Sequence, residues 1–366
     1  MKIVKIFETV PDFRNTKLVS HILGEVLVIA FCAALSGADD FEEMAEYGEE
    51  KKLFFSQFLA LPNGIPSHDT FRRVFQNMDV GYFEKCLVEQ SKEILSDIET
   101  YQINIDGKVL RATGERGKKT AAACIVSAWA SEHCLSLGQS KVSKKSNEKT
   151  AIPDIIKTVD VKGHLVSIDA MGCDKKIADL IRENEGDYLL ALKKNQKGLY
   201  EEAHDWMKQH KLSMDINCET DYVGGRVEKR TTYVCDDLTF IDETENWRDS
   251  KTIIMVESER TFKNGIAKNT VQTRFYISSK EEDAAYFGKV IRNHWSIENQ
   301  LHWYLDVVFN EDRQRVKEGN AAENMTILRK LALQNLLKHK GRKSMKTFRK
   351  KVAWNQKLLV DILVNF

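Results

Sequence analysis

Three carboxylates stand out for their settings. Asp106 lies in INIDGK and Asp169 in VSIDAMG, each next to Ile, Val or Ala, and Glu298 lies in HWSIENQLHW, His294 to Trp303. A carboxylate in apolar surroundings is expensive to bury unless it is paired, hydrogen-bonded or bound to metal. Two of them brought close together repel, and a divalent cation is the usual remedy. Three oxygen donors with no cysteine favour Mg2+, or Mn2+, over Zn2+. Such ions can activate water or a 3′-hydroxyl and stabilise the leaving oxygen of a phosphodiester.

Other readings of the same residues stay open at this point. Each strand Asp could cap a turn or pair with a nearby Lys. HWSIENQLHW, read as a helix, sets His294, Glu298 and His302 on successive turns of one face, which suggests a metallohydrolase. The His-Glu-x-x-His order of zinc helices is absent, however, and that reading leaves Asp106 and Asp169 unexplained. Ile297, Leu301, Leu305 and Val308 form an apolar stripe at helical spacing, with Glu298 at its margin. A helix docked by that stripe and by Trp295 would deliver Glu298 to the edge of a sheet.

The elements that must hold these acids can be read along the chain. Residues 1–95 look helical: VLVIAFCAAL (Val26–Leu35) reads as a buried helix, and Ser67 or Asp69 can cap TFRRVFQNMD. Arg72 and Arg73 make that helix compatible with DNA contact, although such helix pairs are far more often plain packing. From residue 101 the period changes to two, with Ile103 and Ile105 on one face and Asn104 and Asp106 on the other. Two more strands follow, then a helix over KSNEKTAIPDIIKTVD with polar capping residues and Pro153 in its first turn. Strand, helix, strand and helix complete the run to about residue 210. Three antiparallel strands extended by parallel ones, with helices on both faces, is an α/β fold of ribonuclease H-like type. In that order the first and fourth strands are neighbours, so Asp106 and Asp169 come together. Residues 96–210 are thus the first part of the catalytic domain, 211–280 a β-rich insertion, 281–340 the helices carrying the third acid, and 341–366 a basic tail.

Bulk properties narrow the class. The chain has 366 residues, 42% hydrophobic and 30% charged, which is ordinary for a globular protein and too long for one small core. The net charge of +1 hides a region from Arg313 to Lys351 in which Glu318 and Glu323 are the only acids, as a polyanionic partner or a solvated tail would require. Seven scattered cysteines form no CxxC pair, which argues for reduced thiols in a cytoplasmic protein. No signal-peptide pattern opens the chain, and its longest apolar run is short of the roughly 20 residues of a membrane span.

At these residues the sequence resembles the DDE-type insertion-sequence transposases, most closely the H-repeat-associated family. The resemblance is carried by IDGKVLR, KSNEKTAIPDII, VSIDAMGCDKKIADLI, DYLLALKKNQ, RFYISS, IRNHWSIENQLHWYLDVVFNED and NAAENMTILRKLALQNLLK, and by SHDTFRRVFQNMD nearer the start. It implies that Asp106, Asp169 and Glu298 are a metal-binding catalytic triad using Mg2+ (Mn2+ in its place). It also implies cleavage of double-stranded DNA at element terminal repeats, strand transfer into target DNA, and a homo-oligomer on DNA with no membrane role. A relative that binds DNA without transposing is the alternative. Related transposases carry a Tyr, Arg, Glu, Lys signature around the third acid. Here Ile291, His294 and Leu305 stand at the Tyr, Arg and Lys positions, and Arg292 is the nearest substitute. Candidate DNA contacts are Lys108, Arg111, Lys193, Lys194, Asn195, Arg292, His294 and His302, which would hold phosphates without reading sequence.

Overall fold

Ile103 and Ile105 are buried on one face of strand β1 (Gln102–Leu110), and Gln102, Asn104, Asp106 and Lys108 occupy the other. In the computed structural model, which describes residues 1–15, 19–114, 122–142, 148–223, 225–262 and 270–366, β1 belongs to one nine-stranded sheet. Its partners are β2 (Ala123–Ala130), β3 (Leu135–Lys141), β4 (Leu165–Ile168), β5 (Asp187–Leu192), β6 (Asp215–Val223), β7 (Arg226–Cys235), β8 (Thr252–Phe262) and β9 (Thr270–Ser278). They run in the order β3-β2-β1-β4-β5-β9-β8-β7-β6. The first three are antiparallel and β4 and β5 are parallel to β1, as expected of a ribonuclease H-like fold.

The β-rich stretch continues this sheet, because β9 pairs antiparallel with β5 from Leu189–Ser278 to Leu192–Phe275. Consecutive Ile253, Ile254 and Met255 are fully buried, so β8 is covered on both faces. Helices α7 (Glu148–Thr158), α8 (Lys175–Glu183) and α9 (Lys197–His210) supply Ile152, Ile155, Ile177, Ile181, Leu199 and Met207 to the core on one face. Pro153 is the sixth residue of α7 and not in its first turn, and the capping residues expected at Ser146 and Asn147 lie outside the described residues. On the other face α10 (Ala284–His294) buries Phe287, Val290 and Ile291 against Leu165, Leu189 and Tyr276.

The N-terminal helices, α1 (Lys2–Glu8), α2 (Leu23–Ser36), α3 (Phe41–Glu50), α4 (Lys52–Phe55), α5 (His68–Asn77) and α6 (Val80–Leu95), pack around α2, which is buried along its whole length to Leu35. Ser67 caps α5 through the Thr70 N–H, leaving Arg72 and Arg73 exposed. The same core takes in α12 (Ala321–His339), α13 (Met345–Trp354) and α14 (Gln356–Val364). Residues 341–366, expected as a basic tail, therefore close the helical domain. Met345, Phe348 and Val352 recur at i, i+3 and i+7 and turn inward while Lys346 and Lys350 stay outside. Arg329, Lys330 and Arg349 of the basic region are interior as well.

Candidate active site

In the parallel β1–β4 pair Ile105 stands opposite Ile168, so Asp106 and Asp169 are the next residues on neighbouring strands about 4.8 Å apart. Both project to the face that α10 covers, because side chains alternate along a strand. Asp169 already leaves β4: its Oδ1 accepts from the N–H groups of Met171 (3.0 Å) and Gly172 (3.3 Å). A Cβ on Gly172 would come within 2.3 Å of Ile168 Cγ2 and 2.7 Å of Ile152 Cδ1, so this turn needs glycine.

Glu298 arrives on a helical segment that changes its winding. After α10 the chain makes a π-helical stretch, Ile297–His302, before α11 (Trp303–Val307). The wider π turn interrupts the 3.6-residue period that would align His294, Glu298 and His302 on one face. Ile297, Leu301 and Leu305 are buried and seat the segment against the N-terminal helices. Asp106, Asp169 and Glu298 all line a cleft of about 300 Å³, together with Lys193, Tyr200, Arg274, Tyr276, His294 and Trp295. Burial pushes the Glu298 carboxyl above its ordinary range and the Asp169 charge adds to the shift, while the Arg274 guanidinium opposes it.

A buried polar network fastens this segment to the sheet. Gln102 Nε2 donates to Val290 O (2.8 Å) and Ser167 Oγ (3.1 Å), and Asn104 Nδ2 donates to Asn293 O (2.9 Å) and Ser296 Oγ (3.2 Å). Ser167 Oγ donates to Asn104 Oδ1 (2.7 Å) and meets His294 Nδ1 at 2.9 Å. Desolvation brings His294 down to about 4, so the ring is neutral.

The remaining candidates separate by direction. Lys108 does not face solvent: its ammonium bonds Asp306 and Glu311 at 2.5 Å each, under α12 and α11, which corrects its expected phosphate contact. His302 is also interior, with Nδ1 3.6 Å from Asp106 Oδ2 and Nε2 buried without a hydrogen-bond partner. Burial, with the Lys108 and Lys330 cations, lowers it to about 3. Asn195 is exposed, but its amide donates to Ala170 O (2.9 Å) and so braces the loop after Asp169. Lys193 and Lys194 are exposed beside that loop. Arg111 is exposed, 3.8 Å from Asp312. Arg292 pairs with Asp221 in an adjoining cleft that also holds Arg226, Arg230, Arg260 and Arg274.

Several members of the site were not read from the sequence. Arg274 lies 4.6 Å over the Trp295 ring and borders both clefts, so Trp295 lines the site as well as docking the helix. Lys330, brought down to about 7 by burial, donates to Ser127 Oγ (2.7 Å) and Gln139 Oε1 (2.8 Å). Ser127 pairs with Asp106 across β2. Asn104 and Ser167 carried a usable signal, since each precedes a candidate acid by two residues and so shares its face.

The fit to a divalent ion follows from the donors. Three carboxylates on the walls of one cleft, with the Asp169 charge raising the cost of ionising Glu298, suit an oxygen-seeking cation. Among the described residues no three or more His, Cys, Asp or Glu side chains are gathered closely enough to hold a metal ion between them. Mg2+ keeps several waters and takes substrate phosphates as ligands, so one or two carboxylates from the protein are enough to bind it.

Comparison with known proteins bears on the same residues. Residues 99–335 match the family described as transposase DDE domain, and residues 4–89 match the domain described as DDE_Tnp_1-associated. The chain is 38% identical to "Putative transposase YncI" of Escherichia coli O157:H7, over 97% of this chain and 93% of that one. It is 36% identical to "H repeat-associated putative transposase YhhI" of Escherichia coli (strain K12), over 99% and 97%. A piggyBac transposase from a synaptic complex with hairpin DNA aligns over 96% of this chain and 77% of its own, at 13% identity and a TM-score of 0.44. No described helix is long and apolar enough to cross a membrane.

Proposed function

From the premise that the chain belongs to the transposase DDE domain family, we propose that it cuts double-stranded DNA at the terminal repeats of its element and joins the freed strand to target DNA. Asp106, Asp169 and Glu298 are the catalytic carboxylates in this reading. The observation that carries it is their meeting in one cleft, one from the middle of β1, one just past the end of the neighbouring β4 and the third from the π-helical segment.

Asp106, Asp169 and Glu298 would hold Mg2+ or Mn2+, which supplies a polarised phosphate and a more acidic attacking water or 3′-hydroxyl. The chain's own cations serve the substrate. Lys193 and Arg274 on the cleft wall offset phosphate charge, and Lys194 and Arg111 extend that contact outward. The Gln102–Ser167–Asn104 bonds keep the helix carrying Glu298 in place against the sheet. Synapsis of two element ends calls for more than one copy of the chain, so a homo-oligomer on DNA is part of the proposal.

The test is cleavage of the element's own end DNA in Mg2+ by wild type, Asp169→Asn and Glu298→Gln. Wild type should nick the end, and both variants should bind it but leave it intact. Nicking by Asp169→Asn at the wild-type rate would show the carboxylate assignment to be wrong.

A further inference from the structure

The polar network determines which nitrogen of His294 carries the proton. Two backbone carbonyls anchor the deduction, because a carbonyl oxygen only accepts. Val290 O is met by the Gln102 amide and Asn293 O by the Asn104 amide, so each side chain must place its NH2 there. Asn104 therefore turns Oδ1 towards Ser167, 2.7 Å away. If the Ser167 proton pointed elsewhere, two oxygens would face each other lone pair to lone pair at that distance. The single Ser167 hydroxyl proton is thus committed to Asn104. Gln102 Nε2 fills one acceptor position on Ser167 Oγ, which leaves the other for His294 Nδ1 at 2.9 Å. His294 Nδ1 has to be the donor, and the neutral ring keeps its lone pair on Nε2.

That nitrogen belongs to a side chain lining the carboxylate cleft. We propose that His294, locked as the Nδ1–H tautomer, is a further catalytic residue whose Nε2 accepts the hydrogen bond of the attacking hydroxyl, a water or a DNA 3′-OH, and aims it at the scissile phosphate. The inference rests on the transposase reading for the identity of that hydroxyl. It moves no proton: the group is an acceptor that fixes direction, and orientation of a nucleophile is a large part of the barrier. A phosphate oxygen is excluded as the partner of Nε2, since neither atom carries a proton to share. The expected phosphate contact of His294 is replaced by this one.

Substitution by Asn and by Gln separates the two nitrogens. In His294→Asn the side-chain NH2 stands near the Nδ1 position and can still donate to Ser167, while nothing occupies the Nε2 position. A tether role would leave that variant at the wild-type rate. The proposal expects end cleavage about tenfold slower or more, with unchanged DNA affinity, and partial recovery in His294→Gln, whose amide reaches the Nε2 position. Nitrogen-15 spectra of histidine-labelled wild type, with His294 assigned from the signal lost in His294→Asn or His294→Gln, should show a protonated Nδ1 and a bare Nε2 without DNA or metal. A bare Nδ1, or wild-type cleavage by a folded His294→Asn, overturns the inference. If His294→Asn does not fold, the spectra of wild type decide. Failure of the transposase reading looks different: wild type itself then cuts no end DNA, whatever tautomer the spectra report.

Discussion

Lys108 and Glu311 form a 2.5 Å ion pair in the interior, joining β1 to the segment before α12. Burial pushes Glu311 up, but the Lys108 and Arg329 cations outweigh it and hold the carboxyl below its usual range. Asp306 shares the same ammonium, also at 2.5 Å. Removing one partner of such a pair strands the other charge in low dielectric, which costs about 3–5 kcal/mol. Lys108→Met should lose about that much in urea unfolding. The salt dependence of its DNA binding should match wild type, whereas loss of a phosphate contact would flatten the slope by about one.

Acid should loosen the fold through two histidines. His294 and His302 are depressed to about 4 and about 3 by burial, against an ordinary value of 6.5. Between pH 6.5 and 4 the unfolded chain binds protons that the folded one refuses, so stability falls as pH drops through that window. Urea midpoints at pH 7 and pH 5 should differ more for wild type than for the double variant His294→Asn, His302→Gln. Equal differences would mean that neither ring is held neutral.

The contrast between Asn104 and Lys108 shows what the sequence could carry. Both lie two residues from Asp106, and strand alternation placed both on the acid's face. The order of strands and helices gave the pairing of β1 with β4, and hence the meeting of Asp106 and Asp169. It could not tell what covers that face. The acids that enclose Lys108 are 198 and 203 residues away, on segments whose approach depends on the whole fold. The same gap hid the fate of Arg349, whose neighbours in sequence are mostly basic and whose partners, at the end of α2, in the turn after it and at Val308, are distant in sequence. The π turn was hidden for a different reason. IENQLH has ordinary helical composition, and nothing local distinguishes a fifth-residue hydrogen bond from a fourth.

Arg349 should be a keystone of the helical domain. Its guanidinium donates to Ala34 O (3.0 Å), Ala38 O (3.1 Å), Val308 O (2.5 Å) and Asp39 Oδ1 (3.1 Å), and lies 4.2 Å over the Phe309 ring. Alanine there leaves buried carbonyls without a donor at about 1–3 kcal/mol each. Arg349→Ala should lower stability by about 3 kcal/mol or more, and Arg349→Lys should recover little, since an ammonium cannot replace the planar fork. A melting temperature unchanged in Arg349→Ala would remove the C-terminal helices from any account of the core.

In the proposed reaction Arg274 should set the acid limit through Glu298. Three influences act on that carboxyl: burial and the Asp169 charge raise it, and the Arg274 cation lowers it. The ionised form is the one that can serve as a ligand, so activity should fall on the acid side as Glu298 takes up a proton. Arg274→Gln removes the only one of the three that favours the carboxylate. Its pH–rate profile for end cleavage should therefore have its acidic limb displaced to higher pH, with the two proteins compared at the same Mg2+ concentration. At alkaline pH, where Glu298 is ionised in both, the rates should converge apart from any loss of phosphate contact by Arg274. A profile lowered uniformly at every pH would assign Arg274 to phosphate binding alone, and an acidic limb moved to lower pH would contradict the electrostatics of the cleft.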